Sequence, residues 1–252
     1  MQKPTFIKNK IYHIYNRGVE KRNIFMDKQD FLRFIHCLFE FNDESPTVNT
    51  YRHPSLNKPN QDSLMCEVGP RTWKASRQEK GPRKLLVDIL IFTLMPNHFH
   101  LLLKQKAENG ISKFMQKLGT GYTMYFNQKN ERVGGLFQGN FKAVDIIEHA
   151  HFLHLPHYIH ANPIKLMNTS NERGSTSLIE KQMKFLEDYK WSSFSDYIND
   201  GKNTGKKNFP SVTQREFLLD FWGGPEKYKK ETKEWLKDWS KNIEKIKEVA
   251  LD

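Results

Sequence analysis

Hydrophobic and polar positions follow two rhythms along this chain, one of period two and one of period three to four. Residues 10–16 (Lys10-Ile11-Tyr12-His13-Ile14-Tyr15-Asn16) are rich in aromatic and β-branched side chains and run into Arg17-Gly18, which predicts a strand closed by a turn. After Asp27, with a second acid at Asp30, Phe31, Phe34, Ile35, Leu38 and Phe39 fall at helical spacing. Residues 85–94 have the composition of a buried strand. Met95-Pro96-Asn97 then predicts a turn, and residues 98–103 its antiparallel partner. Ile111, Phe114, Met115, Leu118, Tyr122 and Phe126 predict a core-facing helix. Gly134-Gly135 resets the chain into residues 136–144, read as a strand with Gly139 at its middle. A helix from near Asp145 through His160 is expected to stop at Asn162-Pro163, because proline restricts the residue before it.

Between 43 and 84 the rhythm is lost. Pro46, Pro54, Pro59, Pro70 and Pro82 stand among Asn, Ser and charged residues, which reads as an inserted, mobile loop. Residues 178–187 read as a helix and Trp191-Ser192-Ser193-Phe194 as a docking turn. Beyond Gly201, residues 214–222 and 226–249 read as two further helices. The expected organisation is one domain over 1–200, interrupted at 43–84, and a helical extension over 201–252. The order of elements predicts an α+β fold, an antiparallel sheet flanked by helices.

Composition narrows the partners. The 252 residues carry 40 Lys+Arg against 29 Asp+Glu, a formal charge of +11, which points to a polyanion. The insert supplies 8 Lys/Arg against 5 Asp/Glu, and the 201–252 extension 12 against 9. A mean hydropathy of -0.73 and the lack of a long apolar run argue against a membrane span. The two cysteines, Cys37 and Cys66, form neither a zinc spacing nor a disulfide framework, so a cytoplasmic location is expected.

His98-Phe99-His100 is the sharpest chemical feature. On a strand, i and i+2 share a face, so two imidazoles converge while Phe99 enters the opposite layer, a geometry suited to a divalent metal. His149-Ala150-His151 lies on a predicted helix, where i and i+2 diverge, and reads as a solvated edge. Tyr158 and Asn162 are i and i+4 on one helix face, so Asn162 can offer a carbonyl oxygen to a metal while Tyr158 presents its phenol. By spacing alone, Tyr158 reads first as a half-buried helix tyrosine with a satisfied hydroxyl. His154 is placed on the same side. Tyr122 continues an apolar stripe and reads as core.

Three segments together carry a resemblance. Leu94-Met95-Pro96-Asn97-His98-Phe99-His100-Leu101-Leu102, Leu136-Phe137-Gln138-Gly139-Asn140-Phe141-Lys142 and His157-Tyr158-Ile159-His160-Ala161-Asn162-Pro163 resemble the ordered signatures of the IS200-like single-tyrosine (HUH-type) transposases, closest to the REP-associated tyrosine transposases. Tyr12-His13-Ile14-Tyr15-Asn16-Arg17-Gly18 and Trp191-Ser192-Ser193 extend the likeness over roughly residues 8 to 200. The resemblance implies a ferredoxin-like HUH endonuclease core, with His98, His100 and Asn162 as ligands of Mg²⁺ or Mn²⁺ and Tyr158 as nucleophile. It implies a transposase that cleaves single-stranded or hairpin DNA through a 5′-phosphotyrosine link, as a monomer or homodimer. Asn140 departs from the family, which usually has a basic residue there.

Arg17, Lys21, Arg22, Lys104, Lys142 and Lys165 flank the expected site as candidate phosphate contacts, with Phe25 or Phe137 as stacking platforms for unpaired bases. His154 or His160 is a candidate base for the phenol. Two rival readings remain at this level: a domesticated protein that binds hairpins without cutting, and a zinc hydrolase using His98, His100 and a third ligand from the His149 to His160 cluster.

Overall fold

The computed structural model describes residues 4–45, 83–146, 148–167, 176–199 and 212–244. Four strands, β1 (Ile11–Arg17), β2 (Val87–Met95), β3 (His98–Gln105) and β4 (Lys142–Asp145), form a sheet of order β2-β3-β1-β4 with every neighbouring pair antiparallel. Helix α1 (Lys28–Glu40) connects β1 to β2, and α2 (Gly110–Lys129) connects β3 to β4. This βαββαβ path is the ferredoxin-like arrangement.

Both faces of the sheet are covered, which is why the central strands read as nearly unbroken apolar runs. Tyr12, Ile14, Phe99, Leu101 and Leu103 pack beneath Phe34 and Leu38 of α1 and Phe114, Leu118 and Tyr122 of α2. On the other face, Ile91 and Leu102 meet Leu155 and Ile159 of α3 (His149–Ala161). The same cluster takes in Phe194 and Tyr197 of α5 (Phe194–Ile198) and Tyr228, Trp235 and Leu236 of α7 (Pro225–Lys237). Leu218, Trp222, Tyr228, Trp235 and Leu236 of the expected extension thus lie in the second core. The remaining helices are α4 (Thr176–Asp188), α6 (Glu216–Trp222) and α8 (Trp239–Glu244).

Local chemistry sets the element ends. Asp27 caps α1, its carboxylate accepting from the amides of Gln29 and Asp30 at 2.9 and 3.1 Å. At the start of α2, a Cβ on Gly110 would lie 2.1 Å from the Leu86 carbonyl oxygen, so only glycine allows the helix to leave β3 this close to β2. The ends of the 43–84 segment are tied together: Arg83 donates to the carbonyls of Phe39 and Asn42, and the Glu44 amide donates to Lys84 O at 2.9 Å. Residues 46–82, the body of the expected loop, lie outside the described residues.

The outer edge of β2 is closed by the expected docking turn. The Leu94 amide donates to Trp191 O and the Ser193 amide to Phe92 O, both at 2.9 Å. Gln214 exchanges two hydrogen bonds with the backbone of Ile89. Backbone groups that would template another strand are thereby paired.

Three of the expected elements differ in extent. Of residues 136–144, only Lys142 onward pairs as a strand, because Gly139 takes a φ of +71° that breaks the extended path. Asp145 belongs to that ladder, opposite Tyr12, so α3 begins at His149. The helix expected over 226–249 is divided at Asp238 into α7 and α8. No described helix is long and apolar enough to cross a membrane.

Candidate active site

Strand register assembles the site. On β3, His98 stands opposite Arg17 and His100 opposite Tyr15 of β1, all four on the α3-facing side by the period-two rule. The two imidazole centroids are 5.1 Å apart and nearly perpendicular, while Phe99 turns into the first core against Phe34, as expected. Burial pushes His98 down to about 4, helped by the charges of Arg17 and Lys165 and opposed by Asn162. Burial holds His100 well below the usual histidine range, helped by the neighbouring His13 and His98. Both rings are neutral at pH 7, the state in which an imidazole binds metal.

The ring nitrogens are not equivalent. His98 Nδ1 lies 2.6 Å from Asn97 Oδ1, and since a carbonyl oxygen only accepts, Nδ1 carries the proton. His100 Nδ1 lies 2.9 Å from His13 Nε2, and His100 Nε2 is buried with no hydrogen-bond partner among the described residues. Asn162 follows the last turn of α3, fully buried. Its amide is close enough to His98 to raise the ring's proton affinity, but among the described residues neither amide atom makes a hydrogen bond of ordinary geometry. Buried polar atoms left this way are costly, so these three unpartnered atoms mark a place shaped for something else.

Among the described residues, no group of three or more His, Cys, Asp or Glu side chains is placed to hold a metal ion. A divalent ion here would rest on two imidazoles and the Asn162 carbonyl, with further positions left for substrate oxygens. The buried, unpartnered His100 and Asn162 atoms fit that donor set.

Tyr158 sits one turn before Asn162. Its ring is fully buried, edge-on to His100 at 5.8 Å between centroids, and Lys165 Nζ is 5.4 Å from its centre. Tyr15 flanks His100 from the β1 side at 6.1 Å, with Lys142 Nζ 6.0 Å from its ring. Tyr122 is a core residue, as expected, its hydroxyl donating to Ile24 O at 2.6 Å.

The candidate phosphate contacts divide. Arg17, Lys142 and Lys165 surround the histidine pair. Lys21 and Arg22 lie just past the end of β1, with Arg22 paired to Glu20 at 3.0 Å. Lys104 is at the other end of β3, six residues and about 20 Å from His98, with its ammonium over the Phe217 ring. Phe25 is not available to bases, since it is buried against Phe31 and Phe34. Phe137 is half-buried against Phe99 and Tyr122.

The histidines proposed as bases are used elsewhere. His154 Nδ1 accepts from Trp235 Nε1 at 3.0 Å, and His157 Nδ1 lies 2.9 Å from Thr232 Oγ1. His160 uses both nitrogens, at 2.7 Å from the Tyr228 hydroxyl and 2.8 Å from Ser193 Oγ. These three residues, three apart on α3, dock against three on α7, so the tyrosine helix is clamped between the sheet and α7. His151 is buried, not solvated, with Nε2 3.7 Å from Glu148. Replacing Tyr228 with Phe keeps the ring and strands His160 Nδ1. A cost of about 1–3 kcal/mol is expected, read as a lower denaturant midpoint at unchanged m-value.

The roles of His13 and of the α3–α7 clamp are absent from the sequence expectations. His13 had a signal, since it alternates onto the same face as Tyr15. The clamp had a fainter one, the three-residue spacing of His154, His157 and His160.

Residues 78–162 match the family described as Transposase IS200 like, a stretch that holds His98, His100, Tyr158 and Asn162. The family resembled by the motifs is thus the one whose model matches. Comparison with curated proteins found no match. Among solved structures the chain is similar to a REP-associated tyrosine transposase bound to a REP hairpin, at 14% identity and a TM-score of 0.45, over 85% of this chain and 93% of that one.

Proposed function

We propose that this protein is a transposase that cuts and rejoins single-stranded or hairpin DNA through a covalent tyrosine link. The observation that carries the reading is the convergence of neutral His98 and His100 and the unpartnered Asn162 amide beside Tyr158, within the stretch that matches the IS200-like family. The surplus of 40 Lys+Arg over 29 Asp+Glu supplies the attraction to a polyanion.

His98, His100 and Asn162 would hold Mg²⁺ or Mn²⁺. Such an ion, when bound, draws charge from a non-bridging phosphate oxygen as negative charge builds up. Arg17, Lys142 and Lys165 hold the flanking phosphates. Tyr158 Oη attacks the phosphorus, its proton passing to water that enters with the DNA. The bond from phosphorus to the 3′ oxygen breaks, and that oxygen takes a proton to become a 3′-hydroxyl. Because a phosphotyrosine ester replaces the phosphodiester, attack by another 3′-hydroxyl reseals the strand without ATP.

The test is incubation with a labelled hairpin oligonucleotide bearing a single-stranded flank, with Mg²⁺ or Mn²⁺, followed by denaturing electrophoresis. A slow, denaturant-resistant band carrying both protein and label is expected. Retained binding without the band would identify a non-cutting hairpin binder. Cleavage without it, restored best by zinc, would identify a hydrolase.

A further inference from the structure

We infer that His13 is a positioning residue that accepts the Nδ1 proton of His100 and so fixes its Nε2 as a bare lone pair aimed into the site; this rests on the metal-dependent reading above. The two rings lie 2.9 Å apart between His13 Nε2 and His100 Nδ1, both fully buried and nearly parallel at 15°. One of the two nitrogens must carry the proton. Were His13 the donor, His100 would carry its own proton on Nε2, a buried N–H with no acceptor. Were His100 the donor, Nε2 would present a lone pair, the form in which a cation completes it.

Electrostatics separate the two cases. Along β1, His13 faces Leu102, on one side of His100, whereas Arg17 faces His98 on the other, and Lys165 sits over Tyr158, which abuts His100. The Nδ1 side therefore meets an imidazole nitrogen that can accept, and the opposite side a positive potential. A positive potential repels an N–H dipole and favours a lone pair, so the proton belongs on Nδ1.

The arrangement is the histidine form of the outer-sphere contact that more often uses a carboxylate to orient a metal-binding imidazole. An imidazole acceptor, unlike a carboxylate, adds no negative charge, and neither does the inner set of two imidazoles and an amide. The full charge of a bound divalent ion would then face the DNA phosphate.

Two readouts independent of DNA cleavage test the role. In ¹⁵N NMR of the metal-free wild-type chain, His100 is expected to show a protonated Nδ1 and a bare Nε2. His13→Phe, which removes the acceptor and keeps a ring in the pocket, is expected to weaken Mn²⁺ binding, followed by paramagnetic resonance, by about 10–100-fold. His13→Gln, whose side-chain oxygen can accept the same bond, should recover most of it, and His13→Asp should bind Mn²⁺ more tightly than wild type. A proton on His100 Nε2 in the wild type, or a folded His13→Phe chain with unaltered Mn²⁺ affinity, overturns the assignment. Weakening in His13→Phe with recovery in His13→Gln supports it even where the wild type forms no DNA adduct, an outcome that would sink only the strand-transfer reading.

Discussion

Tyr158→Phe is expected to abolish the protein–DNA adduct, by roughly 10³-fold or more, the scale on which removal of a nucleophile acts. The change deletes one oxygen and keeps the ring that packs edge-on to His100 among Leu155, Ile159 and Leu102. Loss of the band at unchanged thermal midpoint and unchanged hairpin affinity therefore reports chemistry and not folding. Two controls sharpen the result. Tyr122→Phe should spare the adduct, because its hydroxyl is committed to Ile24 O on the far side of the sheet. Tyr15→Phe is the stricter control, since Tyr15 also flanks His100 with a lysine nearby. An adduct that survives Tyr158→Phe and disappears in Tyr15→Phe would move the nucleophile to β1.

Acid should unfold the metal-free protein well above the carboxylate range. Burial, with a contribution from His154, pushes His157 down to about 3, and burial pushes His36 and His98 down to about 4. In the unfolded chain each imidazole titrates near 6.5. Below pH 6.5 the unfolded chain therefore takes up protons that the folded one refuses. Stability falls as the pH drops from 6.5 toward 4, and for these groups it is flat above 6.5. Each histidine contributes about 1.4 kcal/mol per pH unit, so three of them across two units cost about 8 kcal/mol, comparable to the 5–15 kcal/mol total of an ordinary domain. Asp27 and Asp43, held below the usual carboxylate range, act only at lower pH. Guanidinium melts at pH 7 and 4.5 check this, and an unchanged midpoint would count against burial of these neutral rings. Bound metal should shift the loss to lower pH, since protons then compete with it for His98 and His100.

The pairing of residues at the candidate site was legible where its signals are local. The i, i+2 rule placed His98 and His100 together, and the i, i+4 rule placed Tyr158 and Asn162 together; neither requires knowledge of the rest of the chain. What brings the two pairs into one place is the packing of α3 over β3, which no local pattern encodes. Lys104 shows the cost of that gap: adjacent in sequence to the histidine strand, it is carried to the far end of the sheet by the 3.3 Å rise per residue. His160 shows another, since a histidine two residues from Tyr158 points away from it on a helix and is consumed by Tyr228 and Ser193. The strand expected over 136–144 failed at Gly139, where composition favoured extension and a positive φ decided otherwise.

The clamp on α3 also orders events in time. His154, His157 and His160 find their partners 81, 75 and 68 residues downstream, in a part of the chain synthesised after the whole sheet is in place. Contacts of such separation close late. A nascent chain that has not reached Trp235 already owns the histidine pair, but its tyrosine helix, which contains Pro156, rests on the sheet alone, with the imidazoles of its outer side still without their α7 partners. The α3 side of the candidate site is in this way fixed only once residues 228–235 have been made.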